Sequence, residues 1–480
     1  MNRYAFYFDA NSCSGCKACQ AACKDKNGLP AGVLWRRVYE SVGGGWTPSG
    51  EAWSSTVFAH NLSMACNHCV HPKCAGVCPV DAYHVRPDGI VLLNTQKCIR
   101  CEYCRWACPY DAPQVDATTK LVSKCDLCCD YLDSGMPPAC VAACPMRCLD
   151  LVEISDEQKN TEALALWTVP GEGHPFPLPR LSRTEPHLVI KPHHSAEQTG
   201  GNPHICNREE TSPGRSPGNP QAEIPLMIFT LFAQMAIGAF WAILLISLLL
   251  GNDPAAAQAI LGPLLSVGVV LLGAVFASLF HLGKPKQAWR ALGHLRKSWL
   301  SREILFLAAF GILWSLLFGL SLFQAGTFSM WKVLAVIAGF CGMADLYCMQ
   351  RVYQLRCIPA WNQARTLLEF AISSVGLGAL LTEALLPVHL QIGKTGWISA
   401  AALLAFLAAV AITLSGGWDK NRILIRWRIG LLLAAALGAC TLLIWPISVT
   451  LGFTWMVLVI GLSEEAIGRW LFYARRNPGI

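Results

Sequence analysis

Residues 98–110 read CIRCEYCRWACPY, four cysteines spaced C-x2-C-x2-C-x3-C with a proline directly after the fourth. Thiols this dense hold something that side chains alone cannot supply, so the first question is how often the pattern recurs. It recurs four times. Cys13, Cys16, Cys19 and Cys23 stand in CSGCKACQAAC; Cys66, Cys69, Cys74 and Cys78 stand in CNHCVHPKCAGVCP; Cys98, Cys101, Cys104 and Cys108 make the quoted run. A stretched fourth group, Cys125, Cys128, Cys140 and Cys144, has an insertion between its second and third members.

Three closely spaced thiolates wrap around three irons of a cubane, and the short x3 spacer carries the fourth cysteine to the neighbouring cluster, so such groups work in pairs. Four groups predict four [4Fe-4S] clusters. Zinc is the competing reading, but zinc sites use two separated C-x2-C pairs and stop at four ligands. Pro79, Pro109 and Pro145 follow groups two, three and four; group one has Lys24 there instead. Cys129, Cys148 and Cys206 fall outside the pattern and read as plain thiols.

The rest of the sequence is of a different physical class. Of the 23 cysteines, 18 lie within residues 1–154 of a 480-residue chain. The odd count and the absence of an apolar N-terminal run argue against a secreted disulfide framework. Residues 155–224 are rich in Pro, Gly, Ser, His and Glu and read as an extended connection. From Ile224 onward, eight segments are long enough to cross a bilayer, at about 225–250, 258–281, 303–325, 331–350, 366–388, 396–415, 427–446 and 449–473. Stretches such as FWAILLISLLL are apolar all round, unlike the two-faced helices of a soluble bundle. The expected fold is therefore an α+β ferredoxin-like domain with four Fe–S clusters, followed by an all-α eight-helix transmembrane bundle. Its domains are 1–195, a linker at 196–222, and 223–480.

Eight crossings place the even-numbered loops, the C-terminal tail and the cysteine domain on one side. That side carries sixteen Lys and Arg, from Lys284 to Arg476, against Lys332 and Lys394 opposite. The positive-inside rule then puts the cysteine domain in the cytoplasm, at the inner (cytoplasmic) membrane. The net charge of +7 is modest and sits beside apolar segments, which fits membrane topology and not nucleic-acid binding.

A membrane partner for an iron–sulfur wire must exchange electrons with something, and quinol is the usual lipid-soluble donor. A haem b would need two histidines at matching depth, and residues 225–480 offer only His281, His294 and His389, so no haem is expected. Quinol oxidation needs proton acceptors, and His281 and Glu303 flank the loop between spans two and three. Each also has a plainer reading: His281 as an interfacial polar residue, Glu303 as support for a helix start capped by Ser301. Asp345, Glu369, Glu383, Glu464 and Glu465 read as packing or helix-pairing acids.

The motifs GCKACQAACKD, LWRRVYE, CNHC, DGIV, ACPYDAPQ, SKCDLC and LVIKP resemble the iron–sulfur subunit of bacterial dimethyl sulfoxide reductase, over residues 1–195. The resemblance implies four ligand sets. They are Cys13, Cys16, Cys19 and Cys144; Cys125, Cys128, Cys140 and Cys23; Cys66, Cys69, Cys74 and Cys108; and Cys98, Cys101, Cys104 and Cys78. EIPLMIFTLFAQ, SLFHLGKPKQAWRAL, SREI, RVYQL and EEAIGRWLFY resemble the same complex's eight-helix anchor, over about 222–476. In that family the matching His and Glu, here His281 and Glu303, are part of the menaquinol site. The two subunits are normally separate polypeptides, so this sequence looks like their fusion.

The resemblance implies an electron-transfer and anchor subunit. It would oxidise menaquinol and feed a separate molybdopterin catalytic subunit, which would also hold the terminal substrate site. A quinone-reducing module running in reverse, or a polysulfide, tetrathionate or selenate reductase subunit, fits the same residues. A membrane scaffold with structural clusters is the rival from another class. Export of the cysteine domain to the periplasm with its catalytic partner is the alternative to the cytoplasmic placement.

Overall fold

The computed structural model describes residues 3–43, 45–154, 184–191, 193, 223–249, 259–323, 328–358, 360–386, 396–415, 422–444 and 450–474. The protein divides into two compact units, one within residues 1–216 and the other within 217–476. The expected linker, 196–222, lies outside the described residues.

In the first unit the order is β1 (Arg3–Asp9), α1 (Ala18–Lys26), β2 (Arg37–Gly43), β3 (Trp46–Ser49), β4 (Ala52–Ser55), β5 (Phe58–Met64), α2 (Lys73–Val77), β6 (Tyr83–Val85), β7 (Val91–Leu93) and α3 (Tyr103–Ala107). There follow β8 (Gln114–Val115), β9 (Val122–Ser123), α4 (Cys129–Asp133), α5 (Ala139–Ala142), β10 (Leu149–Ile154) and β11 (Leu188–Lys191). Strand β1 is central, antiparallel to β10 with Phe8 opposite Leu149, and parallel to β11 with Phe6 opposite Leu188. Phe6 and Phe8 are buried among Leu62, Ile90, Leu149 and several cysteines, so one core serves both the sheet and the thiols.

Two short hairpins repeat one device. At Cys78 and at Cys108 the sequence reads Cys-Pro-x-Asp-Ala, with Asp81 and Asp111 in the left-handed region. That turn aims the amides of Ala82 and Ala112 at the sulfurs of Cys78 and Cys108, at 3.3 and 3.5 Å. The hairpins β6–β7 and β8–β9 then lead to the next cysteine group. Gly89 closes the first at φ 85°, where a side chain would be strained and would press on His187.

The second unit holds α6 (Ile224–Leu249), α7 (Leu261–His281), a 3-10 helix (Pro285–His294), α8 (Trp299–Leu322), α9 (Phe328–Tyr353), α10 (Ala364–Leu385), α11 (Gly396–Leu414), α12 (Arg422–Ile444) and α13 (Thr450–Ala474). Among the described residues seven helices, α6 to α12, are long and apolar enough to cross a membrane. The eighth expected segment is the helix α13. It carries Glu464, Glu465 and Arg469 and is not one of the seven.

Small residues set the helix packing, as expected where apolar burial alone cannot hold helices together in lipid. Helices α6 and α10 touch backbone to backbone: a Cβ on Gly238 would meet the Ser374 carbonyl oxygen, and one on Gly378 would meet the Ala239 nitrogen. Ser374 Oγ donates to the Gln234 carbonyl at 2.8 Å across the same crossing. Helix α8 begins at Trp299, capped by Ser298 and not by Ser301. Hydropathy alone starts this span late because Arg302 and Glu303 interrupt its apolar run.

Candidate functional site

The cysteine framework depends on strained turns. In every group the residue before the second cysteine is left-handed: Gly15, His68, Arg100 and Leu127, at φ 70°, 42°, 61° and 61°. Three of the four are not glycine, and such strain persists only where the surroundings over-determine it. The turn brings the amides of Arg100 and Leu127 to the sulfurs of Cys98 and Cys125, at 3.3 and 3.4 Å. No described cysteine is in a disulfide.

The structure brings thiols of different groups together. Cys144 interacts with Cys13 and Cys19; Cys23 with Cys128, Cys140 and Cys125; Cys108 with Cys66, Cys69 and Cys74; Cys78 with Cys98, Cys101 and Cys104. Cys16 is the exposed member of the first group. The four sets also form a series. Cys19 and Cys140 link the first to the second, Cys125 and Cys66 the second to the third, and Cys74 and Cys104 the third to the fourth.

These surroundings fit a cluster. Cys66, Cys69, Cys74 and Cys108 line one cavity, with Lys124 and Tyr110 in its wall. No group of three or more His, Cys, Asp or Glu side chains among the described residues is arranged to hold a single metal ion. Burial, then the neighbouring thiols, pushes Cys23, Cys69 and Cys101 up to about 12. Ligation by thiolate requires that proton to leave, and iron in the centre supplies the compensating charge.

Two buried cations stand among the thiols, and cysteine spacing gives no sign of either. Arg36 packs over the Phe6 ring at 4.2 Å, donates to Ser63 Oγ at 3.1 Å, and interacts with Cys19, Cys23, Cys125 and Cys140 of the first two sets. Lys124 donates to the carbonyls of Val91 and Cys125 and interacts with Cys66, Cys74 and Cys125. Neither forms an ion pair with a carboxylate among the described residues, so each is placed to balance anionic sulfur. Cys148, which the spacing makes a plain thiol, lies with its Sγ 3.5 Å from that of Cys144. Cys206 lies outside the described residues.

In the second unit, His281 ends α7 and its Nδ1 is 3.8 Å from Glu223 Oε2, both largely buried. Glu223 directly precedes α6; a lone acid before an apolar run carries no sequence signal of this pairing. Glu303 is 3% exposed, in the second turn of α8 and beyond its cap, so its reading as helix-start support is not what the structure shows. Between the two acids stands a tyrosine pair, Tyr353 and Tyr473, with hydroxyls 2.6 Å apart. Tyr353 interacts electrostatically with Glu303, and Tyr473 with Glu223.

The other intramembrane acids are mostly partnered. Glu464 accepts from Arg428 Nε at 2.8 Å, Glu465 from Ser373 at 2.7 Å, Glu369 from Arg365 at 3.0 Å and Glu383 from Ser399 at 2.5 Å. Arg428 and Arg469 are buried inside helices, so these two of the sixteen counted cations are structural and carry no topological weight. Asp345 has no such partner among the described residues.

The comparisons with known proteins agree with both halves. A family model described as DMSO reductase anchor subunit (DmsC) matches residues 218–423, and one described as 4Fe-4S dicluster domain matches residues 57–154. An anaerobic dimethyl sulfoxide reductase chain from Haemophilus influenzae is 43% identical over 201 residues, 42% of this protein and 94% of that one. Its counterpart from Escherichia coli K12 is 43% identical over 198 residues, 41% and 93% of the two lengths. A sulfite dehydrogenase subunit from Allochromatium vinosum is 38% identical over 167 residues, 30% and 66% of the two lengths.

Proposed function

This polypeptide belongs to the dimethyl sulfoxide reductase family, with the iron–sulfur and anchor portions in one chain; from that premise we propose that it oxidises menaquinol and passes electrons through four [4Fe-4S] clusters to a separate molybdopterin catalytic subunit. The observation that carries the reading is the unbroken series of four thiol sets, from Cys98, Cys101, Cys104 and Cys78 at one end to Cys13, Cys19 and Cys144 at the other. Clusters bound there supply one-electron steps.

The protein's own groups do the rest. The sixteen cysteines hold the irons, backbone amides from strained turns donate to the sulfurs, and Arg36 and Lys124 offset their negative charge. His281 and Glu303 accept the hydroquinone protons, with Glu223 orienting the imidazole. The proposal includes an eighth crossing by α13, whose charges are buried and paired against α10 and α12, and the division at 1–195, 196–222 and 223–480. The cation bias of the loops, reduced by Arg428 and Arg469, still favours a cytoplasmic cysteine domain at the inner membrane.

Iron and molybdenum content of the detergent-purified complex, with its co-purifying polypeptides identified, tests this. Roughly sixteen irons per chain with a molybdenum-bearing large subunit supports it. Roughly sixteen irons without molybdenum sinks the catalytic partner. The similarity to a sulfite dehydrogenase subunit favours a second reading, the same wire delivering electrons to quinone. Reduction of the clusters by quinol, but not of quinone by the reduced clusters, would exclude it.

A further inference from the structure

Asp345 lies in α9 at 0% exposure, and neither carboxyl oxygen has a hydrogen-bond partner among the described residues. An acid inside a membrane bundle is expensive, and where it is kept without a structural partner a proton-handling role is the default. Its neighbour decides which role. Helices α8 and α9 run as a hairpin whose register is fixed by two contacts: Trp299 stands edge-on to Tyr347, with ring centres 5.8 Å apart, and Gly342 lies against Phe310 and Ile237. That register sets residue 345 beside residue 303, and the charges of Asp345 and Glu303 interact. Two carboxyls that share one desolvated space repel each other when both are ionised.

We propose that Asp345 is a proton-relay residue of quinol oxidation, the carboxyl that takes the substrate proton on from Glu303. The inference rests on the quinol-oxidising reading above. Oxidising a hydroquinone breaks two O–H bonds, and its two electrons leave singly to iron–sulfur clusters. One proton goes to His281. The other goes to a Glu303 carboxylate oxygen, and the Glu303–Asp345 pair passes from one held proton to two. Release through Asp345 returns the pair to one proton and leaves Glu303 ionised for the next quinol.

The test uses the full chain in its complex with a short-chain 1,4-naphthoquinol as donor, following cluster reduction by loss of visible absorbance. In Asp345→Asn the rate falls about 100-fold or more, the scale of a lost proton-transfer group. Affinity for the matching naphthoquinone stays within about 2-fold, because a relay residue affects turnover and not binding. Asp345→Glu recovers most of the rate. A wild-type rate in Asp345→Asn overturns the proposal. Should that variant not assemble, the wild-type infrared difference spectrum on quinol oxidation decides. A protonated-carboxyl C=O band that shifts as the Glu303 band grows in, both signals being lost in Glu303→Gln, supports the pair; growth of the Glu303 band with no shifting partner overturns it. A wild-type rate in Glu303→Gln, or no naphthoquinone binding to the wild type, shows instead that the quinol reading itself has failed, and the proposal falls with it.

Discussion

The Sγ of Cys148 lies 3.5 Å from the Sγ of Cys144, at the position where the two sister turns carry Ala82 and Ala112. The three segments read CPVDA, CPYDA and CPMRC, so only this turn adds a thiol beside the fourth cysteine. An S–H hydrogen bond to a cluster thiolate stabilises the reduced, more negative cluster. Cys148→Ala should therefore lower the midpoint potential of one cluster of the four, with iron content unchanged, and Cys148→Ser should keep it near the wild-type value. Redox titration followed by electron paramagnetic resonance reads both. Loss of about four irons in Cys148→Ala would instead make Cys148 a ligand.

Lys124 and Arg36 give a second expectation of the same sign. Removing a buried positive charge beside an anionic cluster disfavours its reduction, so Lys124→Met should lower the potentials of the clusters at Cys66 and Cys125. Arg36→Met should act on the sets containing Cys19 and Cys23. Each variant should leave the potential of the remote Cys101 set where it was. A uniform shift of all four would argue for general unfolding.

What is legible in the sequence is local. Cysteine spacing is a property of at most twenty adjacent residues, so all four groups can be recognised from it, and β1 shows in the strand-like run from Tyr4 to Asp9. Arg36 and Lys124 stand within recognisable motifs, but their role depends on folding distant thiols around them, which no local pattern encodes. Spacing likewise offers no place for a seventeenth thiol, so Cys148 carries no signal. Hydropathy places the spans but misjudges their ends. Arg422 and Arg426 make the seventh span read as beginning at 427, whereas α12 starts at Arg422. Asp345 reads as a packing acid like the other acids of the spans; only the lack of a hydrogen-bond partner among the described residues sets it apart.

The α6–α10 crossing should tolerate no side chain at its closest point. Gly378→Leu would drive carbon into the backbone of Gly238 and Ala239, a clash exceeding the usual overpacking cost of about 1–3 kcal/mol. The expected outcome is a protein that does not yield a monodisperse particle in detergent. Gly430→Ala, where nothing lies within 4 Å of the added carbon, is the control. It should be neutral or stabilising by up to about 1 kcal/mol, as read by thermal unfolding of the same preparation.

The buried pair Arg428–Glu464 links α12 to α13. With Glu464 at 0% exposure, removing either partner strands the other's charge away from water. Breaking such a pair costs about 3–5 kcal/mol, so Glu464→Leu and Arg428→Leu should each lower the unfolding temperature markedly. The double variant Arg428→Leu with Glu464→Leu removes both charges together and should recover most of the loss, because two apolar groups need no counter-charge. A double-mutant cycle on thermal unfolding measures this directly. Additive losses would mean that the two residues act separately, Arg428 through Glu465 and Glu369, whose charges also reach it. Recovery would identify the pair as the device that lets a charged α13 pack beside apolar neighbours.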